Sequence, residues 1–265
     1  RLALQAMNNG IDGLRINPGN IGSKAKVRQV TAMAKDKGIP IRIGVNAGSL
    51  ERELLSKYQG VTPEAMVESA LGHASILEDL GFRDIKISLK ASHVPLMVEA
   101  YRLLAAQTDY PLHLGVTEAG TLLLSSVKSA MGIGLLLSEG IGDTIRVSIT
   151  GDPVLEVKVG YEILKSLGLR KRGIELISCP TCGRCQIDLV PLAEEVERRL
   201  AFVDKPLKVA VMGCPVNGPG EARQADVGIA GGKGLGLVFR QGEIVAKVPQ
   251  AGLLDALVRE VEKML

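Results

Sequence analysis

The chain has 265 residues, of which 46% are hydrophobic, 23% charged and 3% aromatic, and its formal net charge is +3 at pH 7. The charge is too small, and the aromatic residues are too few, for a protein that binds nucleic acid through a basic, base-stacking surface. No stretch approaches the roughly 18 apolar residues of a membrane span. Its four cysteines, without secretory features, are typical of a reducing compartment. We therefore expect a soluble, cytoplasmic protein that binds neither nucleic acid nor membrane.

Along residues 1–168 a helical pattern, a glycine and a short β-rich run repeat. The β-rich runs are GIDGLRIN, GIPIRIGVN, DIKISLKAS, YPLHLGVTE and GDTIRVSIT, and the helical patterns include TPEAMVESALGHASILEDLG and VPLMVEAYRLLAAQ. Glycines stand where helix C-caps are expected, at Gly38, Gly81 and Gly140. Thr62, followed by Pro63 and Glu64, is typical of a helix start. The pattern predicts a βα series.

Each β-rich run has an apolar and a polar face, because side chains alternate along a strand. Helical crossovers make neighbouring strands parallel, and the helices cover the apolar face. The polar face then points into a barrel, which favours a TIM-type (β/α) barrel over a doubly wound sheet. Only five runs are present, so an eight-stranded barrel would lack its first three strands. Because the chain opens at Arg1 on RLALQAMNNG, the pattern of a helix end, we expect a further segment before it.

The polar faces place five cations at the predicted mouth of this barrel: Arg15, Arg42, Lys86, Lys90 and Arg146. Burying like charges together is costly unless an anion compensates them. The loops add donors among glycines whose N–H groups can approach phosphate oxygens, namely Asn17, Asn20, Asn46 and Ser49. Glu118, in GVTEAG, is an acid just past a strand end. The pattern predicts a site for a substrate with two phosphate groups.

Residues 169–265 have a different character and are predicted to form a smaller α+β domain. The order is a strand IELIS, a cysteine loop, a helix near LVPLAEEVERRLAF and a strand LKVAVMG. A second cysteine loop, the β-like runs GLGLVFR and EIVAKV, and a last helix follow. Both cysteine loops therefore come directly after strands.

Three cysteines stand at every third position in ISCPTCGRC, and the fourth, Cys214, lies in MGCPVNGPGE. Neighbouring strand ends would bring Cys179, Cys182 and Cys214 together. A disulfide frame does not suit a reducing compartment, and a redox dithiol would leave Cys214 without a role. Structural zinc and an iron–sulfur cluster account for the spacing equally well.

Six motifs spread over nearly the whole chain are similar to those of a known family: LRINPGNIG, IPIRIGVNAGSL, PLHLGVTEAG, VKSAMGIGLLLSEGIGDTIRVS, CPTCGR and GCPVNGPGEA. They resemble the 4-hydroxy-3-methylbut-2-enyl diphosphate synthases of the bacterial methylerythritol phosphate route to isoprenoids. The resemblance implies a TIM-type barrel followed by a reductase-like domain that holds a 4Fe-4S cluster. It implies three cysteine ligands and a glutamate, at Cys179, Cys182, Cys214 and Glu221. Cys185 does not belong to the pattern, and we interpret it as a spare thiol beside the cluster rather than a substitute ligand.

The resemblance also implies an activity, the two-electron reductive opening of 2-C-methyl-D-erythritol 2,4-cyclodiphosphate with loss of water. We expect substrate contacts from the barrel mouth and the second cysteine loop, at Arg15, Asn17, Arg42, Asn46, Ser49, Lys90, Arg146 and Asn217. We expect Glu118 to deliver a proton to the departing hydroxyl. The implied partners are flavodoxin or ferredoxin as the electron donor and a second copy of the chain in a homodimer.

Two other readings of the residues stay open at this point. The first is a barrel transferase for a phosphorylated or pterin substrate, with a structural zinc domain, which would act without a reductant. The second is a binding module in which a zinc knot contacts a partner and the barrel has no activity.

Overall fold

The structure of the protein is a computed structural model that describes residues 1–17, 24–215 and 223–265. It divides into two compact units, Arg1–Leu169 and Arg170–Leu265, called the first and the second unit below. Among the described helices, none is long and apolar enough to cross a membrane. Three residues named above, Asn20, Asn217 and Glu221, lie outside the described residues.

The described part of the first unit contains five short parallel strands: β1 (Leu14–Ile16), β2 (Ile41–Asn46), β3 (Ile85–Lys90), β4 (His113–Leu114) and β5 (Thr144–Ile145). β1 pairs with β2, β2 with β3, and β4 with β5, and one bridge from Ile87 to Leu112 connects the two groups. Strands that follow one another in the chain are therefore neighbours in space. This order fits a barrel, since a doubly wound sheet reverses its strand order. The last two predicted runs are regular strands over two residues each, shorter than the sequence predicts.

Seven described helices accompany these strands: α1 (Leu2–Asn8), α2 (Lys24–Lys37), α3 (Arg52–Lys57), α4 (Pro63–Glu78), α5 (Val94–Ala105), α6 (Leu122–Ser138) and α7 (Pro153–Ser166). The predicted start of α4 is confirmed, because the Thr62 hydroxyl accepts a hydrogen bond from the Ala65 N–H at 3.2 Å. The predicted glycine stops are also confirmed. Gly38, Gly81 and Gly140 have φ values of 63°, 67° and 76°.

The apolar face of each strand is buried against the helices. On β2 and β3 the alternating residues Ile41, Ile43, Ile85 and Ile87 are fully or nearly fully buried, and they share one hydrophobic core with residues of α4 and α5. The opposite face is left to the polar side chains, as the alternation predicts.

The second unit is a five-stranded sheet in the order β10-β9-β8-β7-β6. Its strands are β6 (Ile174–Ser178), β7 (Leu207–Met212), β8 (Val227–Ala230), β9 (Leu235–Arg240) and β10 (Glu243–Pro249), and its described helices are α8 (Leu189–Arg199) and α9 (Leu253–Glu262). β6, β7 and β8 are parallel, whereas β9 and β10 are antiparallel to their neighbours. Strand β8 was not predicted, because VGIA is a run of four apolar residues without alternation.

Candidate functional site

Five cations lie on the strands of the first unit or directly after them, and they are called the cation set below: Arg15, Arg42, Lys86, Lys90 and Arg146. Strand register places Arg15 beside Arg42 and Arg42 beside Lys86. Arg146 comes directly after β5, where its N–H donates to the Leu114 carbonyl at 2.9 Å. The charges are close enough to act on each other, since burial and then the charges of Arg15 and Arg146 lower the pKa of Arg42.

Arg15 is held over a glycine of the neighbouring strand. Its Nη2 donates to the Gly44 carbonyl at 2.9 Å. A Cβ at Gly44 would collide with the Arg15 guanidinium. The glycine in IRIGVN therefore leaves the space in which this guanidinium lies.

Lys90, the last residue of β3, is the most deeply buried member of the cation set, with 7% of its surface exposed. Burial, followed by the charges of Arg42, Arg146 and Arg15, lowers its pKa from the ordinary value to about 7, and Glu156 acts in the opposite direction. A Cβ at Gly115 would lie 3.1 Å from the Lys90 Nζ and 2.5 Å from the Arg146 carbonyl oxygen. Gly115 therefore lets the ammonium approach the strand that leads to Arg146.

His113 lies within the same group of charges but is not a further cation. Burial, followed by the charges of Arg42, Lys90, Lys86 and Arg146, lowers its pKa to about 3. Its Nδ1 is 2.8 Å from the Thr144 Oγ1, and its buried Nε2 has no hydrogen-bond partner among the described residues. A neutral imidazole can accept or donate one hydrogen bond there without adding charge.

The polar residues predicted beside the cations lie at or after the carboxyl ends of β1 and β2. Asn17 is buried directly after β1, and Asn46 ends β2 in register with Lys90. The Ser49 hydroxyl donates to the Asn46 carbonyl at 3.3 Å, which closes the short 3₁₀ turn Ala47–Ser49. Asn46 thus lies beside Lys90 at the carboxyl ends of β2 and β3.

Glu118 is exposed and adopts a left-handed backbone, with φ of 53°. Such a conformation is uncommon for a residue other than glycine and is frequent at functional sites. Thr117, the residue before it, donates its N–H to the Ala91 carbonyl at 3.3 Å, directly after Lys90. The structure therefore attaches the Glu118 turn to the strand end that carries Lys90.

In the second unit, the two cysteine loops leave neighbouring parallel strands. β6 and β7 are paired up to Ser178 and Val211. The Gly213 N–H donates to the Cys179 Sγ at 3.3 Å, and Cys214, the next residue, is buried. Cys179 and Cys214 are thus brought to one place by the sheet.

Cys182 and Cys185 differ in their surroundings. Cys182 is exposed, and hydrogen bonds from the Arg184 backbone and side chain, with the Arg184 charge, lower its pKa. The Cys185 thiol donates to the Ile187 carbonyl at 3.2 Å, and a Cβ at Gly213 would lie 2.6 Å from its sulfur. Cys185 is thus turned toward the sheet and is already hydrogen-bonded.

Within residues 1–17, 24–215 and 223–265, no three His, Cys, Asp or Glu side chains come close enough to hold a metal ion. The candidate ligands Cys179, Cys182 and Cys214 lie within those ranges, whereas Glu221 lies outside them. The chemistry of the donors nevertheless fits a metal cluster. Soft thiolates suit iron–sulfur and zinc sites, and two of the thiols lie on adjoining strand ends.

Sequence reasoning missed three residues of this region. Gly115 leaves room for the Lys90 ammonium, and the charge of Glu156 raises the pKa of Lys90. From helix α5, the Tyr101 hydroxyl contacts the Leu89 N–H of β3 and the His113 carbonyl of β4. Glu156 also accepts the Ile149 N–H at 2.9 Å and lies 4.0 Å from Arg146. In the sequence, Tyr101 differs from the other core residues of its helix only in carrying a hydroxyl, and this was the one feature that could have pointed to a role.

The fold and site define a class of protein: parallel strands in chain order with cations along their polar face, and a smaller α/β unit with two cysteine loops. Residues 1–161 match the GcpE TIM-barrel domain, and residues 175–263 match the GcpE protein C-terminal domain. The chain belongs to the GcpE family. The resemblance inferred from its motifs is confirmed.

Several curated relatives carry the name 4-hydroxy-3-methylbut-2-en-1-yl diphosphate synthase (flavodoxin). The protein of Geobacter sulfurreducens is 68% identical over 265 residues, which are 100% of this chain and 75% of the relative. That of Clostridium acetobutylicum is 63% identical over 264 residues, 100% of this chain and 76% of the relative. That of Caldanaerobacter subterraneus subsp. tengcongensis is 62% identical over 265 residues, 100% of this chain and 75% of the relative. These matches give no support to the transferase with a structural zinc domain.

Proposed function

We propose that the protein reductively opens 2-C-methyl-D-erythritol 2,4-cyclodiphosphate to 4-hydroxy-3-methylbut-2-enyl diphosphate. The reaction takes up two electrons and two protons, breaks the ring C–O bond to phosphate and releases the neighbouring hydroxyl as water. The observation that carries the proposal is that the charges of Arg42, Arg146 and Arg15 all act on the buried ammonium of Lys90 within the first unit. Relatives named as synthases of this product support it.

The cation set supplies the binding energy for the two phosphate groups. Arg15, Arg42 and Arg146 present planar guanidinium groups that can bind phosphate oxygens through two hydrogen bonds. As the ring opens, negative charge develops on the phosphate oxygen that leaves carbon, and the fixed cations stabilise it. An anion bound beside Lys90 favours the charged form of the side chain, and the ammonium then adds to the attraction.

The amide and hydroxyl groups at the same edge orient the substrate. Asn17, Asn46 and Ser49 lie at or directly after the ends of β1 and β2, within the part of the site that the backbone fixes. We assign them hydrogen bonds to substrate oxygens. Asn217, in the second cysteine loop, is assigned the same role on the basis of its motif alone.

Glu118 is the proposed proton donor to the departing hydroxyl. Its exposed carboxyl is on a residue with a left-handed backbone, and the preceding Thr117 is bonded to Ala91, directly after Lys90. A carboxyl is among the side chains that transfer protons efficiently to a leaving oxygen.

Cys179, Cys182, Cys214 and Glu221 are the proposed ligands of a 4Fe-4S cluster. When bound, such a cluster supplies the electrons and a Lewis-acidic iron that a carboxylate ligand leaves exchangeable. Cys185 is left out of this set, since its thiol is engaged with the Ile187 carbonyl.

The proposed electron donor is flavodoxin, which the names of the relatives include. Ferredoxin is a second candidate, since it is also a small electron carrier. We further propose that the protein acts in the cytoplasm as a homodimer.

Analysis of iron, acid-labile sulfide and zinc in protein purified without oxygen tests this proposal. About four iron and four sulfide per chain are expected. About one zinc without sulfide would assign the cysteines to a structural site and reject the reductive reaction.

A further inference from the structure

The backbone ladder between β3 and β4 is interrupted beside Lys90 and resumes just beyond it, where the Thr117 N–H donates to the Ala91 carbonyl at 3.3 Å. β3 pairs with β2 along its whole length, and on its other side it meets β4 at the bridge from Ile87 to Leu112. There the Ile87 N–H donates to the Pro111 carbonyl at 2.9 Å. In a parallel ladder the next bond would run two residues further along both strands, from the Leu89 N–H to the His113 carbonyl.

The hydroxyl of Tyr101 takes the place of that bond. The Leu89 N–H donates to the Tyr101 Oη at 2.9 Å, and the Tyr101 hydroxyl donates to the His113 carbonyl at 2.5 Å. Two hydrogen bonds in series thus replace one ladder bond. Because an oxygen atom now stands between the strands, β3 and β4 are further apart here than a direct bond would allow.

Tyr101 reaches this position from helix α5, and the whole residue is buried. Burial raises the pKa of the phenol, so the hydroxyl stays protonated and keeps donating to the His113 carbonyl. The phenol and the Arg42 guanidinium are close enough to influence each other's pKa. The hydroxyl therefore lies beside the cation set as well as in the core.

Both groups that Tyr101 contacts lead directly to charged or polar residues of the site. Leu89 precedes Lys90, whose ammonium lies against Gly115 across the separated strands. The His113 carbonyl belongs to the residue whose imidazole lies among the cations. Lys90 and Gly115 therefore lie one and two residues beyond the two backbone groups that the Tyr101 hydroxyl connects.

We propose that Tyr101 is a positioning residue of the anion site, whose hydroxyl holds β3 and β4 apart and thereby fixes the Lys90 ammonium at the mouth. The inference rests on the proposed function in one respect, that the cation set binds phosphate groups. It adds a residue on the outer helix layer to a site formed by strand ends.

The test is the affinity of the purified protein for inorganic pyrophosphate, measured by titration calorimetry from about pH 6.5 to about pH 9, across the lowered pKa of Lys90. Tyr101→Phe should bind about tenfold more weakly near pH 7, which corresponds to about 1.4 kcal/mol. The ratio of the two affinities should also fall toward one above about pH 7, because the unmodified protein loses the contribution of charged Lys90 there, whereas a lysine freed from the site regains its ordinary pKa. The matched control is Tyr110→Phe, which removes a hydroxyl bonded to Glu78 at 2.7 Å before β4 and should change neither property.

A purely structural tyrosine would lower the melting temperature and leave the affinity and its pH profile unchanged, and that result overturns the inference. If the unmodified protein does not bind pyrophosphate, the proposed function fails together with the inference. If it binds and Tyr101→Phe binds equally, the inference alone fails.

A second measurement uses only the unmodified protein, so it does not depend on the folding of a variant. In the unmodified protein labelled at the tyrosine ring carbons, saturating pyrophosphate should shift the Cζ resonance of Tyr101 and leave that of Tyr110 in place. An unchanged Tyr101 resonance at saturation overturns the inference.

Discussion

Anion binding at the cation set should depend on pH through Lys90. Burial and the neighbouring arginines lower its pKa to about 7, whereas an anion bound beside it favours the charged form and raises its pKa again. Binding is therefore accompanied by proton uptake above about pH 7. The contribution of Lys90 is complete below its lowered pKa and decreases as the pH rises, by up to about tenfold in affinity per pH unit.

Lys90→Met removes the charge while keeping a long, flexible side chain. The loss of a hydrogen bond to a charged group is worth about 1.5–3 kcal/mol, so below pH 7 the variant should bind pyrophosphate roughly ten- to a hundredfold more weakly. The ratio of the two affinities should fall toward one as the pH rises, since the unmodified lysine is then neutral. The ionisation of pyrophosphate itself is common to both proteins and cancels in this ratio.

Titration calorimetry at about pH 6.5, 7.5 and 8.5 measures this ratio across the lowered pKa. Lys37→Met, at the exposed end of α2, is the control and should leave affinity unchanged at each pH. If the ratio of the two pyrophosphate affinities stays constant over this range, the reasoning is refuted. A lysine with an ordinary pKa would be charged at every pH measured and would give that result.

Three further predictions concern other residues of the two units. Glu118→Gln should bind pyrophosphate normally and lose most turnover in a reductive assay, whereas full activity would remove Glu118 from the mechanism. Gly115→Ala should weaken pyrophosphate binding, because the added Cβ would lie 3.1 Å from the Lys90 Nζ and 2.5 Å from the Arg146 carbonyl; unchanged affinity in calorimetry would show that Lys90 does not need this space. Cys185→Ala should keep its iron and lose about 1 kcal/mol of stability with the thiol's hydrogen bond, whereas Cys179→Ala should lose the iron. Equal iron contents in these two variants would argue against the ligand assignment.

The cation set could be predicted from the sequence because strand alternation is strictly periodic. Once IRIGVN and IKISLK are taken as parallel strands, Arg42, Lys86 and Lys90 must share a face. The glycine stops and the start of α4 could be predicted for a similar reason, since each depends on a local backbone preference.

The features that escaped prediction depend on contacts between distant residues. Tyr101 occupies a core position of α5, and only the structure shows its hydroxyl between β3 and β4. Gly115 is an ordinary strand glycine until Lys90 is placed beside it. Strand β8 is short and uniformly apolar, so its identity comes from pairing with β7 and β9.

The cysteine loops fall between these two cases. Their position after β6 and β7 follows from the predicted elements and is confirmed by the parallel pairing of these strands. The orientation of the Cys185 thiol toward the Ile187 carbonyl could not be predicted, because every third position in ISCPTCGRC carries the same side chain.

The central claim is that the protein uses electrons to open a cyclic diphosphate. The most direct test follows 2-C-methyl-D-erythritol 2,4-cyclodiphosphate by phosphorus NMR under anaerobic conditions, with iron-loaded protein, with and without reduced flavodoxin. We expect the cyclic diphosphate signals to be replaced by those of an open diphosphate only when the reductant is present. Conversion without a reductant, or none by fully iron-loaded protein with it, would contradict the claim.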